Sequence, residues 1–352
     1  MFYKPNFDVV KRRYAEYWAL ENHQRPLLWV TAPKERPKTA AGSPILARHA
    51  TLRDRWLDTE YMLAAARATF DRTYYGADAL PVLNPNLGPD LFASLYGVPL
   101  VFGQDTSWSE HTLTEWDEYV PFCLDREHPY YKKIVEMTIA ASEDGKDAYL
   151  VGVTDIHAGL DCLAAFRGPE NLCIDTLESP DFIRRGAMDL FSGFTELYRE
   201  LAAITRRHQE GKVNWMGIWH PGGWYVTSCD FICMISPDMF DDLVAEELNA
   251  ELDFLDASIF HLDGPDALRH LDRLLELPTL HGIQWVYGAG QPTASHWIGV
   301  LRRIQAAGKA FQVAATPAEL PFLLENLKPE GAMYVVEART EAEARALEAL
   351  LP

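Results

Sequence analysis

Ala257-Ser258-Ile259-Phe260-His261-Leu262-Asp263-Gly264-Pro265 is the stretch whose reading decides the fold. A short apolar run ends in His-x-Asp-Gly, and a helical pattern begins near Asp266. That sequence reads as a βα junction. In parallel α/β folds such junctions bind ligands and carry the chemistry. His261 and Asp263 stand two apart on a strand end, so their side chains leave the same face and can share a metal, a proton or a substrate. The alternative is a buried, hydrogen-bonded His beside an Asp that caps the next helix.

The same alternation runs outward in both directions. Pro26–Thr31, Ala79–Leu83, Ala148–Val153, Val213–Ile218, the run before His261, Gly282–Val286, Ala310–Val313 and Met333–Val336 all read as short apolar strands. Such strands are expected where both faces of a parallel sheet are covered. Amphipathic helical patterns lie between them. Met239, Phe240, Leu243, Val244, Leu248, Leu252 and Leu255 trace one helix face. Ser179-Pro180-Asp181 and Ser236-Pro237-Asp238 repeat the chemistry of a helix start, with Ser as cap and Pro in the first turn. A proline-rich loop is expected over 33–46, and an irregular segment over 105–128. The eight strand–helix units predict an α/β fold: a single (β/α)8 TIM barrel with an N-terminal helical extension, one domain over 1–352.

Composition narrows the function. The chain has 352 residues, 48% of them hydrophobic, enough for a large buried core. Its net charge of −19 argues against nucleic acid as a partner. It also argues against a substrate rich in carboxylates, since no local basic pocket stands out in the Arg and Lys distribution. Five cysteines, an odd number, fit free thiols in a reducing compartment. No run approaches the roughly 20 apolar residues of a membrane span, and no signal core opens the chain. A cytoplasmic protein without membrane contact is expected. No G-x-G-x-x-G or G-x4-G-K pattern supports nucleotide binding.

A barrel gathers its strand-end residues at one mouth. In order these are Asn84 and Asn86, Asp155 and His157, Trp219 and His220 with Trp224, His261 and Asp263, Gln284 with Trp285 and Tyr287, Gln312, and Glu337. All are polar or aromatic, which suits a polar organic ligand held between apolar ring faces. His261, Asp263 and Glu337 supply one imidazole and two carboxylates. That set suits a divalent ion, zinc or a harder one, or an acid/base pair. Asp155 is a further candidate catalytic carboxylate.

Several of these residues carry a family resemblance. Phe166-Arg167-Gly168-Pro169-Glu170-Asn171-Leu172, Asp175, Ser179–Phe182, Asp230-Phe231, Ile235–Phe240 and His261–Gly264 resemble the uroporphyrinogen decarboxylase superfamily, which includes corrinoid-dependent methyltransferases. The resemblance spans roughly residues 145–350. It implies a (β/α)8 barrel and either methyl transfer, with a corrinoid protein as partner, or decarboxylation. Two departures qualify it. Trp29–Lys34 lacks the Arg pair with which the decarboxylase grips a porphyrinogen. Asp263 and Glu337 stand where the thiol-methylating branch has cysteine ligands to zinc. The chain is thus identified as a divergent member acting on a small polar, methylated substrate with metal assistance. Alternatives are a lyase, decarboxylase or hydrolase acting on a polar molecule such as a carbohydrate derivative, and a barrel that binds without catalysis. Either a monomer or a homodimer is compatible with it.

Overall fold

The computed structural model describes residues 1–36, 49–116 and 121–352. Parts of the loop expected over 33–46 and of the segment 105–128 lie outside the described residues. The strands are β1 (Leu27–Pro33), β2 (Thr73–Ala77), β3 (Val82–Leu83), β4 (Leu100–Phe102), β5 (Ser107–Ser109), β6 (Leu150–Val151), β7 (Trp224–Ser228), β8 (Ala257–Asp263), β9 (Gly282–Val286), β10 (Ala310–Ala314) and β11 (Ala332–Glu337).

The central sheet runs β2-β1-β11-β10-β9-β8-β7. Every pairing from β1 to β7 is parallel, and β2 adds antiparallel at the edge. β3 and β6 form a separate parallel pair. The architecture is therefore α/β with a mostly parallel sheet. The ladders do not close into a ring among the described residues. A few hydrogen bonds span the two gaps instead. Asp78 N donates to Leu28 O (2.9 Å) beside β1. Across the other gap, the buried Tyr225 hydroxyl donates to Thr154 O (2.6 Å) and accepts from Ile156 N (2.7 Å).

Burial follows the expected pattern. Ala257 to Phe260 of β8 are consecutively buried, as are Ala310 to Val313 of β10. Helices supply the outer cover, the longest being Pro180–Thr205. The N-terminal helix Phe7–Trp18 closes the amino-terminal end of the sheet. Its Tyr17 hydroxyl reaches Phe311 O (3.3 Å) and its Trp18 Nε1 donates to Trp219 O (2.9 Å).

Three local expectations are corrected. Val213–Ile218 is not a strand. Asn214 turns the chain there: its O accepts from Gly217 N (2.9 Å) and its Oδ1 from Met216 N (3.0 Å). Gly217 then takes φ +75 with the Trp29 ring packed where a Cβ would stand. The strand follows instead at Trp224–Ser228. The helix expected across 239–255 is two, Pro237–Leu243 and Ala245–Phe254, broken at Val244. Ser236 caps its helix by accepting from Met239 N (3.2 Å), whereas Ser179 makes no such bond.

Candidate active site

The carboxyl ends of β6, β7 and β8 converge on a cluster of acids and histidines. His261 and Asp263 end β8. Beside them stands Asp230, just past β7, because the β7–β8 register pairs Ser228 with His261. Asp230 is fixed from below: Asp161 accepts from the amides of Asp230 (2.8 Å) and Phe231 (2.9 Å). Ligand atoms of Asp230, His261 and Asp263 all lie within 4.8 Å of one another. His261 Nε2 is 3.9 Å from Asp230 Oδ1. Trp215 sets its ring edge-on to the imidazole, centroids 5.3 Å apart.

The other side of the imidazole is held by two glutamines. Register places His261, Gln284 and Gln312 side by side on β8, β9 and β10. Gln312 Nε2 donates to the carbonyl of Met216 (3.2 Å), which can only accept. Its Oε1 therefore faces Gln284, whose Nε2 donates to it (2.7 Å). Gln284 Oε1 then faces His261 Nδ1 at 2.5 Å, and Nδ1 must be the donor. In the neutral imidazole the bare nitrogen is Nε2, the one turned toward Asp230.

Asp155 and His157 form a second pair at the end of β6. His157 Nε2 lies 3.0 Å from Asp155 Oδ1. Burial works to lower the His157 pKa, but the charge of Asp155, with Asp161 and Asp230 behind it, outweighs burial and raises it to about 9. The Asp230 carboxyl is shifted above its ordinary range, by burial first and by Asp161 next, with His261 and His157 pulling the other way. Its side chain is half-exposed at the surface while its inner side is crowded by these groups.

Next to the cluster opens a cavity of about 500 Å³. Trp29, Trp215, Trp285 and Tyr287 wall it, and Asp263, Gln284 and Gln312 line its polar side. Around this end several buried polar atoms have no hydrogen-bond partner: Asn84 Oδ1, Thr154 Oγ1, Asn214 Nδ2, and Nε1 of Trp215 and Trp285. Buried polar atoms are ordinarily paired, so such a concentration marks a place where strain or a ligand is accommodated.

Among the residues singled out in the sequence, Asp155, His157, His261, Asp263, Gln284, Trp285, Tyr287 and Gln312 are brought to this end. Asn84 lies against Gly152, where an added Cβ would sit 2.5 Å from its Oδ1. Asn86 instead accepts from Gly88 N (2.8 Å) and shapes its own loop. Glu337 is exposed on β11, three strands from β8 in the sheet order, and is not part of the converging group. Trp219, His220 and Trp224 precede or begin β7 and pack with Trp18 at the opposite end, Trp18 lying 5.1 Å from His220 and 5.3 Å from Trp224. That end also holds Arg199, Arg206, Arg207 and Lys212 around one cavity, a basic pocket that was not expected from the linear distribution.

Asp230, Trp29 and Trp215 are not among the site residues expected from the sequence, although Asp230-Phe231 is part of the family resemblance. The signal for Asp230 was the aromatic and β-branched run Trp224-Tyr225-Val226-Thr227 after Gly222-Gly223, which ends at Ser228-Cys229-Asp230.

No family model matches the sequence, and no curated protein sequence matches it. Among solved structures, the chain superposes on a methyltransferase from Methanosarcina mazei with TM-score 0.66 and 10% identity, over 97% of each chain. The two share a fold. At that identity, the likeness extends to the fold alone.

No helix among the described residues is long and apolar enough to cross a membrane.

Proposed function

We propose that the chain is a methyltransferase-type enzyme acting on a small polar, methylated substrate at the mouth of a (β/α)8 barrel, with a divalent ion held by Asp230, His261 and Asp263. The observation that carries this reading is the convergence of those three side chains beside an aromatic cavity. Strand number supports the barrel: six parallel strands in the main sheet and the pair β3–β6 make eight.

The donor set fits a metal. One imidazole with a bare nitrogen and two carboxylates suit ions of borderline to hard character, zinc and manganese among them. When bound, such an ion supplies Lewis acidity at the heteroatom that carries the methyl group. The rest falls to the chain's own residues. Gln284 and Gln312 hold the imidazole in one tautomer. Trp29, Trp215, Trp285 and Tyr287 exclude water and offer ring faces to an N-methyl or S-methyl group, favourably so if it is cationic. The anionic surroundings, Asp155, Asp161, Asp230 and Asp263, favour the same charge. A corrinoid protein as methyl acceptor follows from the family resemblance and belongs to the same proposal.

A second reading has its own observation. His157, kept protonated beside Asp155, is a general acid in waiting, which favours a lyase, decarboxylase or hydrolase.

Calorimetric titration with zinc and manganese tests the metal. Binding is expected at one ion per chain, weakened more than about tenfold by Asp230→Asn, His261→Gln or Asp263→Asn and unchanged by Glu337→Gln. Equal binding by wild type and Asp230→Asn would remove the metal from this reading. Methyl transfer is read by following ¹³C-methyl groups of amines, ethers and thioethers onto reduced cobalamin. Conversion of an unmethylated carboxylate or glycoside in place of transfer would favour the second reading.

A further inference from the structure

We propose that the amino-terminal end of the sheet carries a second site, which binds the phosphate group of a small ligand. The site lies beyond the starts of β7 and β8, far from the acidic mouth. Six residues of extended chain separate Trp224 from Asp230, roughly 20 Å.

Lys212 carries the argument. The residue is 8% exposed, and its ammonium makes no hydrogen bond or ion pair among the described residues. It lines a cavity of about 860 Å³ together with Arg199, Arg206, Arg207 and the backbone of Gly222 and Gly223. None of these three arginines has a carboxylate partner among the described residues. Some arginines elsewhere pair with carboxylates, Arg184 with Asp242 at 2.7 Å, Arg273 with Asp241 at 3.1 Å and Arg345 with Glu341 at 2.6 Å, while others such as Arg53, Arg72 and Arg302 bond neutral groups. In a chain with 51 acidic and 32 basic residues, this one cavity gathers four cations without a carboxylate partner among the described residues, Arg199 lying over the Phe254 ring at 4.8 Å.

The carboxylates at the rim are already engaged. Asp256 Oδ2 accepts from Gly223 N (2.6 Å), and Glu210 pairs with Lys11 (2.6 Å). The helix Pro180–Thr205 ends here, and its negative end suits Arg206 and Arg207. It does not account for the largely buried Lys212 side chain that lines the same cavity. Burial and the neighbouring Arg206 both work against that charge, lowering the Lys212 pKa to about 8. An unpaired buried cation is costly, and like charges add to the cost. A bound anion removes both penalties. Guanidinium forks beside an ammonium suit the several oxygens of a phosphate. Lys146 lines the adjoining cavity, which shares Arg206 and Arg207.

The test is calorimetric titration at fixed ionic strength, with chloride as the control anion. Inorganic phosphate and ribose 5-phosphate are titrated separately into wild type, Lys212→Met and the surface double variant Arg206→Gln/Arg207→Gln. Saturable binding of one equivalent is expected for at least one probe. Both variants should weaken it by about tenfold or more, as loss of a charge-assisted hydrogen bond implies. Tighter binding of the sugar phosphate assigns the site to a phosphorylated metabolite; equal binding assigns it to free phosphate. Lys212→Met should unfold at no lower temperature than wild type without phosphate, and should lose the stabilisation phosphate confers. If Lys212→Met does not fold, the double variant alone decides. Absence of saturable binding by both probes, or undiminished binding by the double variant, overturns the proposal.

Discussion

Gln284 decides which nitrogen of His261 faces the carboxylates. An isolated imidazole would take either tautomer. Here the choice is made three residues away, at a carbonyl that can only accept, and is passed through two side-chain amides whose polarity then has no freedom. Orienting partners of this kind commonly change metal affinity 10- to 100-fold. Gln284→Leu is therefore expected to weaken metal binding by about that factor while leaving the fold intact. In ¹⁵N-histidine spectra of the wild type above the imidazole titration, His261 Nδ1 should be the protonated nitrogen. A bare Nδ1, or undiminished metal affinity in Gln284→Leu, would show that the glutamines do not position the ring. His261, Asp263, Gln284 and Gln312 were legible in the sequence because polar residues interrupt short apolar runs at strand ends. Asp230 was not, because its legibility depended on placing β7 correctly. Glu337 was assigned to the same group because linear order does not tell how many strands separate two strand ends around a sheet.

At the scale of elements, the misplacement of β7 has a physical cause. Val213–Ile218 has strand-like composition, but Asn214 and Gly217 fold it into a turn against Trp29, a contact from β1 that no local pattern reveals. The helix Ala245–Phe254 holds a second feature invisible to periodicity. Glu247 and Glu251, one turn apart, are 7% and 6% exposed. They face inward toward the helix Gly159–Arg167, where Glu247 Oε2 lies 2.8 Å from the place a Gly159 Cβ would occupy. Burial, more than any neighbour, drives the Glu247 pKa up from 4.5 to about 8, and burial with the charge of Glu247 drives Glu251 upward too. The folded state thus holds protons that the unfolded chain releases. A raised folded pKa contributes stability that is complete below pH 4.5 and is lost as pH rises through about 8. Urea unfolding should show stability falling by about 1.4 kcal/mol per pH unit across that window for each proton retained. Glu247→Gln should flatten the decline. Parallel profiles for wild type and variant would show that the pair is charged in the folded state.

The two ends of the strands carry different side-chain chemistry. Acids, histidines and an aromatic-walled cavity gather at the carboxyl ends of the strands, and cations without carboxylate partners at the amino ends. The long strands β8 to β11 and β1 hold this polarity in register, because each is hydrogen-bonded on both sides along most of its length. β3 and β6 are different. Each is two residues long, their strand pairing is with each other alone, and a few scattered hydrogen bonds tie them and the residues beside them to the rest. Asp155, His157 and Asn84 hang from this thinner wall, whereas His261 and Gln284 stand on the thicker one. Opening free energy follows the density of buried hydrogen bonds and packing. Amide hydrogen exchange should therefore be slowest in Ile259–Leu262, Ile283–Trp285, Phe311–Val313 and Met333–Val336, and faster in Val82–Leu83 and Leu150–Val151. A ligand spanning from the Asp230–His261 group to Asp155 and His157 would bridge the two walls. It should slow exchange at Leu150–Val151 more than at Ile283–Trp285, whose protection is already close to the limit set by global unfolding. Uniform exchange across β3, β6 and the strands of the main sheet without ligand would mean that β3 and β6 are held as firmly as the rest.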